Sequence, residues 1–316
     1  MRGMRVVVLS VLAVLCGCSS PPPAVSAPSS APSPPPATSF HGPPVSALER
    51  LAGPGEPADL DVMSFNVRYA GLTPPNSWAQ RRPVMRALLT AERPDLIGTQ
   101  EGLAIQLRDI ESDLGPDYDR IGLGRDPGGV GEHMAIFYNR SRLSPRSSGH
   151  FWLSGTPAVP GSMSWGNHQP RMVTWARFTD LATGRDFCAV NTHLDNHSEP
   201  ARRRSAQLIM DRLATFAPLP IVLTGDFNSA AAPGSETYRL LTTEAGLRDT
   251  WLTPRRGPAW GTIHNYAPLI PNGERDDWIL TSPSITTVAA LMNTHRQAGQ
   301  YPSDHLPIQA RLHFPP

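Results

Sequence analysis

Carboxylate, carboxamide and imidazole side chains follow short apolar runs along this chain, and the plainest case lies between Leu219 and Ser229. Ile221-Val222-Leu223-Thr224, bounded by Pro220 and Gly225, predicts a buried strand, with Asp226 and Asn228 just past its end. In extended backbone both side chains leave on one face while Phe227 turns back into the core. A divalent cation or a phosphate could meet both. Asp-x-Asn alone is more often turn chemistry than catalysis, so the pair carries weight only with partners.

Partners recur. Polar residues end apolar runs at Ser64-Phe65-Asn66, Ile97-Gly98-Thr99-Gln100-Glu101, Val190-Asn191-Thr192-His193-Leu194-Asp195, Arg275-Asp276-Asp277-Trp278-Ile279 and Ser303-Asp304-His305. A cap or a turn accounts for any one of these ends but poorly for all of them in one domain.

The elements that must position these residues alternate between strand and helix. Asp61 to Val67, Asp95 to Gln100, Met134 to Tyr138, Met172 to Phe178, Phe187 to Thr192, Ile221 to Thr224, Asp277 to Leu280, Ile285 to Met292 and Leu306 to Leu312 read as strands. Trp78 to Glu92 reads as a helix with Val84, Ala87, Leu88 and Ala91 at helical spacing, and Pro200 to Ala217 as an amphipathic one. This many strands in a mixed chain require more than one sheet.

Residues 1–18 have the form of an export signal: arginines at 2 and 5, then an apolar run from Val6 to Leu15 too short to span a bilayer. Leu15-Cys16-Gly17-Cys18 resembles a bacterial lipobox, which makes Cys18 the acylated N-terminal residue; simple secretion is the alternative. Residues 19–57 are rich in Pro, Ser and Ala and read as a disordered tether. Residues 58–316 are left for one large domain, expected as a monomer. The 28 basic residues, all Arg, and 27 acidic residues give a net charge of +1 and no global attraction to nucleic acid. Of the 3 cysteines only Cys188 falls in the domain, on an apolar strand, so no disulfide holds it within the domain.

Taken with these motifs in this order, Leu60 to Leu312 resembles the endonuclease/exonuclease/phosphatase superfamily, which includes DNase I-like nucleases, sphingomyelinases and inositol-polyphosphate phosphatases. The resemblance implies an α/β fold: a four-layer α/β/β/α sandwich of two packed mixed β-sheets with the site at one rim. Phe151-Trp152-Leu153-Ser154-Gly155-Thr156-Pro157 with Ser164-Trp165 and Pro170-Arg171 looks like a bacterial subgroup. By the same resemblance Glu101 is the principal metal-binding carboxylate, with Asn66 beside it and Asp304 completing the metal region. An oxygen-only set of this kind suits Mg²⁺ or Mn²⁺, and no thiolate set or paired-histidine helix points to zinc.

The resemblance makes His305, oriented by Asp277, one candidate general base and Asp226 the other. It implies that Asn228 orients the phosphate, His193 donates to a non-bridging oxygen, Glu132 braces His193 and Arg171 contacts phosphate. Two features depart from the family pattern. Asp276 stands where an apolar residue normally packs; strand alternation turns it outward, and inward it would need Arg275 or a cation as partner. The segment Thr262 to Gly273 matches only in part.

His133, His168, His197, His264 and His295 read mainly as structural or solvated residues, although His197 could line the rim. Trp152 fits a core position, and Trp165 fits core or ligand stacking equally.

The expected function is hydrolysis of a small or lipid-linked phosphate ester, diester or monoester, by an exported Mg²⁺-dependent enzyme tethered to the membrane through Cys18. A secreted nuclease is the alternative, and a catalytically silent binding module is the reading from another class.

Overall fold

The computed structural model describes residues 45–314. The expected export signal, with Cys16 and Cys18, and most of the expected tether lie outside the described residues. Twelve strands appear in chain order: β1 (Asp59–Asn66), β2 (Leu96–Gln100), β3 (Tyr118–Ile121), β4 (Ile136–Asn139), β5 (Leu143–Trp152), β6 (Met172–Asp180), β7 (Arg185–His193), β8 (Ile221–Asp226), β9 (Arg248–Asp249), β10 (Asp277–Thr281), β11 (Thr286–Met292) and β12 (Ile308–His313). The helices are α1 (Ala47–Ala52), α2 (Trp78–Glu92), α3 (Ala104–Leu114), α4 (Glu199–Ala214) and α5 (Glu236–Arg239).

One sheet runs β11-β12-β1-β2-β4-β3 and the other β5-β6-β7-β8-β10-β9. Both are mixed, since β1 pairs parallel with β2, and β7 with β8, while their other pairings are antiparallel. Alternation sorts the side chains into layers. On β1, Met63 and Phe65 meet Met85 and Leu88 of α2 and Leu107 and Ile110 of α3, while Leu60 and Val62 face the second sheet. On β8, Val222 faces the first sheet and Leu223 packs towards Ile209 and Leu213 of α4. The order is therefore helix, sheet, sheet, helix, as the α/β/β/α sandwich requires.

Beneath one rim the layer between the sheets turns polar. Gln100 Nε2 donates to Asn191 Oδ1 at 2.7 Å, and Asn191 Nδ2 donates to the carbonyls of Thr99 (2.8 Å) and Ala135 (3.0 Å). Thr224 Oγ1 donates towards Asn191 Oδ1 at 3.1 Å. The sheets meet closely at Gly98, where a Cβ would lie 2.0 Å from Thr224 Oγ1, so glycine is needed for room.

The structure corrects the end of the tether. α1 lies within residues 19–57 and packs Leu48, 1% exposed, with Ala289 and Leu291. Ser46 Oγ accepts the Glu49 N–H, and Glu92 accepts the Ala47 N–H. Leu48, with Leu51 beside it, buries apolar surface against Ala289 and Leu291, so the folded unit begins before Ala58. The expected helix Pro200 to Ala217 stops at Ala214, ahead of Pro218. Helix α3 and strands β3, β5 and β9 add to the expected elements. Cys188 is buried.

Candidate active site

Parity along the strands delivers the polar residues to one rim. Asn66 shares the face of Leu60 and Val62, Asp226 that of Val222, His193 that of Ala189, and Asp277 that of Ile279. Register does the rest: His193 pairs with Asp226 across β7 and β8, and Asp277 with Asp226 across β8 and β10. Three titratable side chains thus stand abreast. The loop before β12 adds Asp304 and His305, tied to β1 by Ser303 Oγ donating to the Asn66 carbonyl at 2.6 Å.

Asn66 joins the two sheets. Its Nδ2 donates to Glu101 Oε1 at 3.0 Å and to Asp226 Oδ2 at 2.9 Å, while its Oδ1 accepts the Arg68 N–H at 3.0 Å. Glu101 is held at φ 64°, with Oε2 accepting the Tyr69 N–H at 3.2 Å. Burial acts to raise its pKa, but the Asn66 amide, His305 and Arg68 outweigh it and keep the carboxyl ionised.

His305 Nδ1 lies 3.0 Å from Asp277 Oδ2 and 3.8 Å from Asp226 Oδ2. Burial disfavours its charged form, yet Asp277, Asp226 and Asp304 hold its pKa well above that of a free imidazole. Asp226 also moves up: burial, then Asp277, pushes it up to about 7. His193 sits 3.5 Å from Asp226 through Nε2, and burial with the nearby Arg171 and Arg125 keeps it neutral.

These groups open on a cleft of about 340 Å³. Asn66 lies beneath it as the strut between Glu101 and Asp226, and Asp277 stands behind His305. Asn228 borders the cleft at φ 47°, its N–H on Asp226 Oδ1 (3.0 Å) and its Nδ2 on the Leu194 carbonyl (3.1 Å). Arg171, 4% exposed, reaches Asn196 Oδ1 at 3.0 Å, and its Nε and Nη1 have no hydrogen-bond partner among the described residues. An anion in the cleft would satisfy such donors.

One expected contact is absent. Glu132 does not brace His193: its carboxylate pairs with Arg125 Nη1 at 2.7 Å, and His193 Nδ1 has no partner among the described residues. A permanently charged guanidinium outcompetes a neutral imidazole for the carboxylate. Asp276 is half-buried without a side-chain partner among the described residues, and burial, then Asp277, lifts its pKa to about 6. Arg275 pairs with Asp249 Oδ2 instead, at 2.6 Å.

Arg68 and Arg125 are cleft residues the sequence reading passed over. Arg68 follows Asn66 by two, the same offset that linked Asp226 to Asn228; Arg125 sits in the glycine-rich run Gly122-Leu123-Gly124-Arg125. His197 lines the cleft, stacked on His168 with centroids 4.6 Å apart. His264 is structural: it packs on Tyr301, and its Nδ1 accepts the Tyr266 N–H. Trp152 is a core residue with Nε1 on the Arg125 carbonyl, and Trp165 is half-buried in its loop.

The donor chemistry fits a hard divalent cation. The Arg68 guanidinium stands between Glu101 Oε2 (3.7 Å) and Asp304 Oδ2 (3.4 Å), so a positive group already sits between these two carboxylates. Asn66 presents its amide nitrogen, not its oxygen, to Glu101. A second grouping brings Glu101, His193 and Asp226 ligand atoms within 4.8 Å of one another.

A two-sheet sandwich with a carboxylate-, amide- and imidazole-lined cleft at the strand ends is a phosphoesterase or nuclease fold. Residues 63–305 match the Endonuclease/Exonuclease/phosphatase family, and the chain belongs to that family. Members are generally hydrolases of phosphate esters, some acting on nucleic acids, and typically use a divalent metal.

A solved family protein from Bacteroides thetaiotaomicron is 34% identical with a TM-score of 0.77, the match covering 83% of this chain and 100% of that one. A mannosyl-6-phosphatase from the same organism is 35% identical with a TM-score of 0.74, covering 81% and 100%. A protein of Acanthamoeba polyphaga mimivirus is 32% identical over 162 residues, 48% of this chain and 59% of that protein; the chain thus matches under two thirds of that relative's length.

Proposed function

We propose that this protein is an exported phosphatase, dependent on Mg²⁺ or Mn²⁺, that hydrolyses a small phosphomonoester, with a sugar phosphate the first candidate. The observation that carries the reading is a cleft lined by His305, Glu101, Asp304 and Arg171, with Asp277 behind His305, Asn66 behind Glu101, and Arg171 Nη1 without a hydrogen-bond partner among the described residues. The similarity to a mannosyl-6-phosphatase supports a monoester of a sugar. Export and lipid anchoring at Cys18 rest on the N-terminal motif.

Glu101 and Asp304 would hold the metal, which would supply charge neutralisation at the phosphate when bound, and Asn66, whose amide nitrogen donates to Glu101, would fix that carboxylate in place. Asp226, with a pKa near 7, takes the proton from the attacking water. His305, kept protonated by Asp277, donates a charged hydrogen bond to the phosphate as negative charge develops and gives its proton to the departing ester oxygen as the P–O bond breaks. Arg171 and neutral His193 each present an N–H to the non-bridging oxygens, and Asn228 fixes the Asp226 carboxylate through its backbone N–H. Asp277 keeps the His305 ring oriented.

The test is release of phosphate from mannose 6-phosphate and of nitrophenol from p-nitrophenyl phosphate and bis-p-nitrophenyl phosphate, with Mg²⁺, Mn²⁺ or EDTA. The full chain and His305→Ala are compared. Metal-dependent monoester hydrolysis, reduced by about 100-fold or more in the variant, is expected. Preference for the diester or for DNA would replace the phosphatase reading with a diesterase or nuclease. Hydrolysis unaffected by EDTA would refute metal dependence.

A further inference from the structure

Arg68 is aimed into the cleft by an unusual amount of buried machinery. It sits at φ 51°, a left-handed conformation that a side chain with a Cβ rarely adopts unless its surroundings impose it. Two wholly buried polar side chains impose it. Arg81, from α2, places all its N–H donors on carbonyls: Nε on Asn76, Nη1 on Val67 and Pro302, Nη2 on Arg68 and Tyr69, all at 2.9–3.0 Å. Gln106, from α3, grips the Val67 and Arg68 carbonyls again at 3.1 and 2.8 Å. The guanidinium they direct is 39% exposed, lies 4.4 Å over the Tyr69 ring, and reaches Glu101 and Asp304 only at 3.7 and 3.4 Å.

Those two ion pairs are long, and they engage the carboxylates named above as metal ligands. A divalent cation held by Glu101 and Asp304 would have to share them with the guanidinium or displace it, and two cations on one carboxylate pair repel. A displaced Arg68 remains in the cleft, backed by Tyr69, with its planar fork free for a phosphate.

We propose that Arg68 is a substrate-binding residue that exchanges partners, resting on Glu101 and Asp304 and moving to the substrate phosphate when a divalent cation takes those carboxylates, so that metal and phosphate bind cooperatively through it. The proposal rests on the metal-centre reading above. Arg81 and Gln106 are positioning residues for it. Coupling of this kind is reciprocal: phosphate, by drawing the guanidinium away, tightens metal binding by the factor by which metal tightens phosphate.

The test is calorimetric titration of Mn²⁺ into the full chain, with and without inorganic phosphate, for wild type, Arg68→Met and Arg68→Lys, each first shown to melt as wild type does. Removing the competing cation should make Arg68→Met bind Mn²⁺ about tenfold more tightly than wild type in the absence of phosphate. Phosphate should then enhance Mn²⁺ binding several-fold less in Arg68→Met than in wild type. Arg68→Lys, which keeps the charge but not the fork, should bind Mn²⁺ within about threefold of wild type.

Equal or weaker Mn²⁺ binding by Arg68→Met, or an undiminished effect of phosphate, overturns the exchange while leaving the phosphatase reading intact. Absence of Mn²⁺ binding by wild type overturns both.

Discussion

Adding one methyl group at Gly98 separates a site that needs its two sheets at a fixed spacing from one built on either sheet alone. The new Cβ would lie 2.0 Å from Thr224 Oγ1 and 2.8 Å from Asn191 Oδ1. Non-bonded carbon and oxygen need roughly 3.4 Å, so the sheets or Thr224 must give by about 1.4 Å. Thr224 cannot swing freely, because its hydroxyl donates to Asn191 Oδ1 (3.1 Å) or, alternatively, to the Val190 carbonyl (3.2 Å). Overpacking of this kind costs about 1–3 kcal/mol, and a broken buried hydrogen bond adds about 1 kcal/mol.

The displacement falls beneath the rim where Asn66, from one sheet, holds Asp226, from the other, at 2.9 Å. A shift of about 1 Å there should lower kcat about 100-fold. Urea unfolding of Gly98→Ala measures the stability loss, and kcat on the preferred ester, taken where both proteins are fully folded, measures the second effect. Thr224→Ala, which removes the hydroxyl without adding bulk, should lose stability but much less kcat. Wild-type kcat in a folded Gly98→Ala would refute the reasoning, as would a stability change below about 0.5 kcal/mol.

Two further outcomes follow from groups away from the cleft. A chain starting at Ala58 should be less stable than one starting at Pro43 by about 1.5–3 kcal/mol, the worth of burying one leucine, read as a lower Tm; equal Tm values would show that α1 contributes nothing. Asp95, whose Oδ2 accepts the Asp61 N–H at 2.9 Å, has its pKa pushed up by burial to about 6. A raised carboxyl pKa favours the folded state below the ordinary value near 3.8, and that contribution is lost as pH rises through about 6. Asp95→Asn should therefore stabilise the protein at pH 8 by at most about 3 kcal/mol, with the gain gone by pH 4; a pH-independent difference in urea midpoint would refute this.

Much of the site was legible because strand ends are local. A run such as Ile221 to Thr224 followed by Asp226 fixes its own alternation, so the face that Asp226 and Asn228 share follows from period two alone. Trp78 to Glu92 was equally legible and matches α2 end to end. Less came through where pattern was weak or unread. Strand β5 carries Pro145, Ser147, Ser148 and Gly149 on an edge with an exposed middle, so no alternation marks it. Leu107, Ile110 and Leu114 of α3 do keep helical spacing, a signal present but unused.

The sequence by itself determined the strand ends, the family resemblance and the residue types at the rim, because these depend on spacing along the chain. Only the tertiary structure decided who partners whom. The resemblance paired Glu132 with His193, and packing set Arg125 beside it instead. The aim of Arg68 depends on Arg81 and Gln106, from two different helices, closing on the same carbonyls. The extension of the folded unit back to Leu48 depends on an apolar patch at Ala289 and Leu291, more than two hundred residues along the chain. Such contacts are fixed by geometry and burial in three dimensions, and short-range periodicity carries no trace of them.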